Sequence, residues 1–483
     1  MLSSLNAIVP MACVTAAGIA AMTAEAFREP GEKMPIGPLG AIGLIGAAVA
    51  AWLLWNDNPT SFSTSFGVVV ADNFGLFVTW VLIIVGLLSL AISAPTIERE
   101  RLPRGEYYAL MLFALSGMIL MATAVDLLVI FLALEVLSIA VYVLTGIRRD
   151  SPVSTEAAFK YFLLGAFASA FFLYGIAFTY GVTGSTRLDR IGSAIAAQAL
   201  SPSPMHWLAM GLLIVGFAFK VSAVPFHMWT PDAYEGAPSS VTGFMSTGVK
   251  AAAFAAFARV FLSAFEPLRV SWASVLWPIA AATMIVGTVV GLAQTNVKRM
   301  LAYSSIAHGG YLLLALISGN DVAKGSILFY LLTYALTNLG AFGVIVLLED
   351  RDRANERITD YAGLWNDHPA LAALMTIFLL SLGGFPPMAG FIAKWYVFSA
   401  AVKAGYVWLA VIGVLTSVVS VFFYLRIVVM MYMTPSGETM PRFPSVPRIA
   451  GAALVLSALA IFYLGILPTR FLDLAAASIS SIF

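Results

Sequence analysis

Charge is what this sequence has least of. Only 11% of its 483 residues are Asp, Glu, Lys or Arg, where a soluble domain carries about a quarter. With 60% hydrophobic residues and mean hydropathy +0.92, a soluble globular protein is excluded. The formal net charge is +1, without a basic block or interleaved basic and aromatic residues, which excludes nucleic acid as a partner. There is one cysteine, Cys13, in the first apolar run, so disulfides, iron–sulfur clusters and thiolate metal sites within one chain are excluded. The four histidines, His206, His227, His308 and His368, have no second histidine or acid at ligand spacing, which argues against haem or metal. No Walker A sequence and no glycine triplet after a strand occurs, so neither ATP nor nicotinamide has a site. The chain is expected to hold no cofactor of its own.

What is present is a succession of apolar runs, each near the roughly 20 residues that cross a bilayer. Punctuation by turns and charges gives fourteen candidate spans, about 4–26, 36–55, 72–95, 106–124, 126–146, 158–182, 206–229, 240–264, 272–293, 300–318, 323–348, 369–401, 406–433 and 447–468, with a short C-terminal tail. The fold class is therefore all-α, a polytopic membrane protein. Ala24-Glu25-Ala26 has the look of a cleavage site, but the N-terminus lacks the positive residues of a secretory signal, so a retained first helix is expected. One set of alternate connectors holds Arg28, Lys33, Arg99, Arg101, Arg104, Arg148, Arg149, Lys298, Arg299, Arg351, Arg353, Arg357, Arg442 and Arg448. The other holds only Arg187, Arg190, Arg269, Lys324, Lys403 and Arg470. The positive-inside rule then puts both termini on the outer, periplasmic side of the cell inner membrane. The longest connectors, about 183–205 and 349–368, are too short for domains, and the second, LEDRDRANERITDY, reads as a solvated loop or short surface helix.

Two spans interrupt themselves. Pro225 breaks the seventh, and Gly383-Gly384-Phe385-Pro386-Pro387 the twelfth, because proline removes a donor and clashes with the preceding turn. Broken helices persist in a membrane where protein or water satisfies the freed backbone, and paired breaks mark transporter repeats. Breaks five spans apart predict two inverted five-helix repeats, spans 4–8 (105–265) and 9–13 (266–434). A three-helix segment, 1–104, precedes them, and a last helix and tail, 435–483, follow.

The few ionisable residues inside spans are the candidates for chemistry, since each costs roughly 2.5–3.5 kcal/mol at the bilayer centre and by default marks a transport path. Glu135 reads as the partner of a buried lysine or as a neutralised packing residue. Lys220 is too near the midplane to snorkel, and His227, seven residues on, falls on the same face of a continuous helix; its alternative is a bond to backbone freed by Pro225. Between them and the next span the connector carries Asp232 and Glu235 and no base. Lys250 is flanked by small residues that let helices approach. His308, with Ser304 and Tyr311 about a turn to either side, suits a short water wire or helix packing. Lys394 follows the second break and alternatively snorkels to the nearer surface. Arg259 and Arg426 are lesser candidates that could be interfacial. Glu135, Lys220, Lys250, His308 and Lys394 form a line of titratable groups at similar depth, the minimum for moving protons by charge coupling.

Five stretches, RGEYYALMLFALSGMILMATAVDLLVIFLALEVLSIAVYVL from Arg104, STEAAFKYFLLGAFASAFFLYGIAF from Ser154, FHMWTPDAYEGAP from Phe226, QTNVKRMLAYSSIAHGGYLLL from Gln294 and GGFPPMAGFIAKWYVF from Gly383, resemble the N-type subunits (subunit N) of bacterial proton-translocating NADH-quinone oxidoreductase, respiratory complex I. The resemblance covers about 105–400. It implies an antiporter-like subunit of fourteen helices in the membrane arm, beside another antiporter-like subunit and the small quinone-proximal subunits. It implies a proton path on Glu135, Lys220, Lys250 and Lys394, with the family's histidine on His308. NADH, FMN, iron–sulfur clusters and quinone would belong to partner subunits. The chain departs from the family at Ser239-Ser240 and Val249, where relatives often carry proline. Lys394 disfavours the M-type paralogue, and the early end of the chain disfavours the L-type. The alternatives are a subunit of a multisubunit cation/proton antiporter or membrane-bound hydrogenase, and a membrane scaffold whose buried charges only fix packing.

Overall fold

A computed structural model describes residues 5–27, 36–55, 64–198, 203–349, 355–435 and 446–482. Arg28, Lys33, Arg351, Arg353 and Arg442, which entered the charge count above, lie outside the described residues. Apolar runs become helices: α1 (Val9–Ala26), α2 (Ile36–Leu54), α3 (Asn73–Glu100), α4 (Arg104–Thr123), α5 (Leu127–Thr145), α6 (Pro152–Thr183), α7 (Leu188–Gln198), α8 (Pro204–Lys220) and α9 (Trp229–Gly236). They continue as α10 (Ser239–Ala264), α11 (Arg269–Leu292), α12 (Val297–Ser318), α13 (Asp321–Leu348), α14 (Pro369–Gly383), α15 (Ala389–Lys403), α16 (Val407–Met433), α17 (Arg448–Ile466) and α18 (Thr469–Ile479). Among the described residues, twelve helices are long and apolar enough to cross a membrane, and α8 and α14 are shorter apolar helices.

Many starts are set by a short polar side chain that accepts from the first free backbone N–H groups. Asp72 takes Gly75 N (2.7 Å), Asp126 takes Leu128 N (2.9 Å), and Asn296 and Asn320 do the same for α12 and α13. The layering places the site. Helices α10, α12 and α13 are buried almost throughout, whereas α1, α2 and α6 show most of their surface to the surroundings. A helix apolar all round and covered on every side belongs to a bundle core, so a charge on α10 or α12 is enclosed by protein and not by lipid.

Four features depart from the sequence reading. A small antiparallel hairpin, β1 (Thr64–Phe66) and β2 (Val69–Ala71), joins α2 to α3. The connector after α6 holds the helix α7. The C-terminal tail is helical too: α18 packs on α13, where Gly325 leaves room for the Ala476 backbone, and Ser481 accepts from Phe74 N (3.1 Å). The connector after α13 is not simply solvated. Glu349 and Asn355 are buried, and Glu356 pairs with Lys298 (3.1 Å), because charged ends of neighbouring helices pair with it and exclude water.

Candidate functional site

Both broken helices end in the same way. In α8 the helix stops at Lys220, five residues before Pro225. Ser222 takes a left-handed conformation (φ 63°), its N–H donates to Phe219 O (3.1 Å), and Ala223 N reaches back to Ala218 O (2.8 Å). In α14, Gly384 is left-handed (φ 85°), donating to Ser381 O (3.1 Å), with Phe385 N on Leu380 O (3.0 Å). These are paired Schellman ends. The second uses the expected glycine, while the first forces a serine into that region, a cost that clusters at functional sites. Neighbours satisfy the freed backbone: Trp229 Nε1 donates to Phe219 O (3.0 Å), and Val224 N to Thr283 Oγ1 (2.9 Å). Carbonyls at a helix C-terminus carry partial negative charge and favour a cation there. Each break accordingly holds a lysine: Lys220 is the last residue of α8, and Lys394 of α15 donates to Leu382 O (2.8 Å) and Gly383 O (3.2 Å) at the end of α14.

Four of the sequence-predicted residues are enclosed: Lys220 and Lys250 are 2% exposed, Lys394 4% and His308 5%. Lys220 Nζ donates to Ser138 Oγ (2.7 Å) and lies over the rings of Tyr142 (5.5 Å) and Tyr161 (5.7 Å). Glu135, half-buried one turn earlier on α5, accepts from Ser169 (2.5 Å). It acts on Lys220 electrostatically without an ion pair between them, so Ser138 stands where a direct partner was expected.

Lys250 follows a π-helical turn, Met245–Val249, and a second one, Val260–Ala264, begins after Arg259. Such turns are rare and gather at functional sites. Val249, the departure from proline, lies within the first. The Lys250 amine donates to Ser305 O on α12, whose hydroxyl accepts from Tyr334 (2.9 Å). Gly309 brings the two halves together, since a Cβ there would lie 3.0 Å from Val221 O and 3.8 Å from Lys250 Nζ. Gly309→Val is therefore expected to push the α8 break away from Lys250 and lower turnover several-fold while the protein still folds. Activity in membranes matched for protein content checks this, and wild-type turnover would show that the close approach is dispensable.

His308 continues the row. Its Nδ1 lies 2.6 Å from the Tyr330 hydroxyl, its Nε2 3.3 Å from that of Tyr424, and its ring packs on Tyr334 and Tyr311. Ser304 bonds the same Tyr424 hydroxyl, so the neighbouring hydroxyl foreseen on α12 acts through a tyrosine from α16. A small cavity beside the ring, about 10 Å³ measured to water centres and lined by Thr333, Thr337, Ser381 and Leu382, has room for about one water. Ser381 and Leu382 on one side and Gly390 and Ala393 on the other set it against the second break. There Lys394 also donates to Ser417 (2.8 Å) and lies over Tyr311 (5.2 Å), which is no snorkelling posture.

His227 does not join this row. The chain is not helical from Val221 to Met228, so the shared-face argument fails: seven residues no longer make two turns, and the half-buried ring sits in the break. Arg259 is not interfacial. It forms a buried two-pronged pair with Asp72 (2.6 and 2.7 Å), a residue the sequence reading passed over. Arg426 closes the end of α11 by donating to Leu292 O (3.3 Å) and Gln294 O. At the end of the bundle where α10 begins, Asp232 takes Arg299 (2.8 Å) and Lys160 (3.0 Å), and Glu235 takes Arg299 (2.6 Å). Burial would raise the Asp232 carboxyl, but the hydrogen bonds from Arg299 and Lys160 outweigh it and hold it below the ordinary carboxylate value. Among the described residues no three His, Cys, Asp or Glu side chains are placed to hold a metal ion.

Comparison with known proteins places this geometry. The family model described as NADH:quinone oxidoreductase/Mrp antiporter, TM, matches residues 124–420. A protein named NADH-quinone oxidoreductase subunit N from Trichlorobacter lovleyi is 46% identical over 479 residues, covering 99% of this chain and 98% of that one. A chain of respiratory complex I from Thermus thermophilus with bound Aureothin superposes with TM-score 0.82 at 37% identity, covering 97% of this chain and 99% of that one. A chain of the Mrp complex from Dietzia sp. DQ12-45-1b has TM-score 0.84 at 21% identity, covering 100% and 98%, a likeness of fold alone.

Proposed function

The chain belongs to the NADH:quinone oxidoreductase/Mrp antiporter family, and on that premise we propose that it is the N-type, proton-translocating membrane-arm subunit of a NADH-quinone oxidoreductase. The observation that carries this reading is the enclosed row of Lys220, Lys250, His308 and Lys394, each bonded to hydroxyls, tyrosines or backbone carbonyls and, among the described residues, to no carboxylate. An amine in such a place has a proton affinity set by desolvation and by how near the next charge stands. Moving one charge therefore loads or unloads its neighbour. Reduction of quinone in partner subunits changes the charge at one end; Glu135 and Lys220 pair and release, and the change passes through Lys250 and His308 to proton release near Lys394. His227 has at most an accessory part.

NADH, FMN, iron–sulfur clusters and quinone belong to the partner subunits, among them a neighbouring antiporter-like subunit and the small quinone-proximal ones. The protein is a multi-pass component of the cell inner membrane. Counted as spans, the twelve long helices and the two broken ones would number fourteen, an even number that sets both termini on one side, and the excess of Lys and Arg in the opposite connectors makes that side the outer one. Residues 105–265 and 266–434 are the two inverted repeats, and the matching Schellman ends of α8 and α14 support that pairing.

Lys250→Ala tests the reading. In membranes where the complex is assembled, proton pumping and NADH-to-quinone electron transfer are expected to fall together by about tenfold or more, a positioned proton-transfer group being worth roughly 10²–10⁴-fold. Near wild-type values of both would overturn it.

A further inference from the structure

Asn338 has no place in the row just described. It is completely buried in α13; its amide nitrogen donates to Ser246 Oγ (2.8 Å), and its Oδ1 has no hydrogen-bond partner. A buried acceptor left unpaired is destabilising, and the α13 side chains that meet α10 next to it, Leu339 and Phe342, are apolar. Ser246 lies four residues before Lys250 in α10. Thr242 and Ser239, four and seven residues before Ser246, lie on the same helical face, so a stripe of hydroxyls leads along α10 to the lysine. At its far end the Ser239 hydroxyl donates to Glu349, the first residue beyond α13. The interface of α10 and α13 thus has a polar station at each end of the stripe. Between them, a Cβ on Gly243 would lie 2.9 Å from Leu339 Cδ1 and 3.0 Å from Phe342 Cβ, a dry contact.

We propose that Asn338 and Ser246 hold a water through which Lys250 is reprotonated from the inner face, that Glu349 is the carboxyl at which those protons enter, and that the Gly243–Leu339–Phe342 contact is the dry step between them. This rests on the function proposed above. The step balances as proton transfer alone: when water enters the Gly243–Leu339–Phe342 contact, the O–H of protonated Glu349 breaks, that water and the one at Asn338 relay the proton, and an N–H forms on the neutral Lys250 amine. Glu349 is faced by Arg99 (2.7 Å), Arg148 and Lys298, and shares its surroundings with Glu100, Glu356 and Tyr361. Burial raises its carboxyl above the ordinary value against the pull of Lys298, Arg148, Arg99 and Ser239, as suits a group that exchanges protons nearer neutrality. Ser239, the departure noted in the sequence, is thereby an entry hydroxyl. Ser240 beside it accepts from Tyr107 (2.8 Å) and serves packing.

The test uses membranes carrying the assembled complex with Asn338→Leu, Glu349→Gln, Glu349→Asp, Phe342→Ala and, as a control, Lys250→Ala. Pumping and electron transfer are measured against inner-side pH, in ordinary and heavy water. Asn338→Leu and Glu349→Gln are expected to lower pumping about tenfold and enlarge the solvent isotope effect. Glu349→Asp is expected to restore most of the rate with a displaced pH midpoint, and Phe342→Ala to raise passive proton leak. Asn338→Leu at wild-type rate and isotope effect overturns the water site. If both Glu349 variants fail to assemble, Glu349 is a structural clamp and its entry role is overturned, while Asn338→Leu still decides the water site. If Lys250→Ala is itself near wild type, the proposed function fails and takes this inference with it.

Discussion

Lys220→Ala, in a complex that still assembles, is expected to abolish most proton pumping and to slow electron transfer with it, by about tenfold or more. The amine sits at the C-terminal end of α8, on Ser138 and between two tyrosine rings. Every local influence there but one, desolvation, favours the ammonium: the helix end, the ring faces and the charge of Glu135. On the proposed path, alanine removes the link between Glu135 and Lys250. Lys220→Arg separates charge from transfer, because a guanidinium keeps the positive charge but does not give up its proton. It is expected to assemble as well as wild type and pump as poorly as the alanine variant. Pumping by Lys220→Arg at the wild-type rate would mean that fixed charge is all the position supplies. Ser138→Ala, which removes one hydrogen bond, is expected to cost far less.

The largest stability effect is expected at the other end of α10. Arg259 and Asp72 are 187 residues apart and fully buried together. The guanidinium also donates to Ala122 O (3.1 Å) and covers the Phe74 ring (4.8 Å), and Asp72 caps α3 through Gly75 N. Arg259→Leu leaves a buried carboxylate with no counter-charge, at a cost of about 3–5 kcal/mol. Less assembled complex on native gels and earlier thermal unfolding in detergent are the expected readouts. The paired change Arg259→Leu with Asp72→Asn, which removes both charges and keeps a capping side chain, is expected to recover most of the loss. Unfolding of Arg259→Leu within about 1 kcal/mol of wild type would show that this pair contributes nothing.

Hydropathy and punctuation made the spans, both breaks and most of the row legible, because a lysine or histidine in an apolar run has few structural reasons to be there. What stayed hidden depends on three-dimensional neighbours. The α8 stop is written in no glycine: Ser222 adopts the left-handed turn, so Pro225 drew the break too far along and made His227 look aligned with Lys220. Tyr334 and Tyr424, which connect Ser305, Ser304 and His308, are ordinary aromatics in apolar helices. Glu349 opens a string of charges that reads as solvated, and only the packing of α3, α10 and α13 around it puts it out of water. Asp72 opened its span like any capping residue, with no sign of the arginine that meets it.

The π turn before Lys250 sets the permissible length of this stretch over evolutionary time. Each residue of an α-helix turns the chain by about 100°. Five residues of a π turn cover about the angle that four cover in ordinary winding, so deleting one between Met245 and Val249 would restore an α-turn and leave Lys250 facing Ser305, whereas a deletion elsewhere between Ser239 and Lys250 would swing it away. A gap of one position is expected to be tolerated in functional descendants at this turn and purged elsewhere in the helix before Lys250, whereas the connectors between helices are free to gain and lose residues.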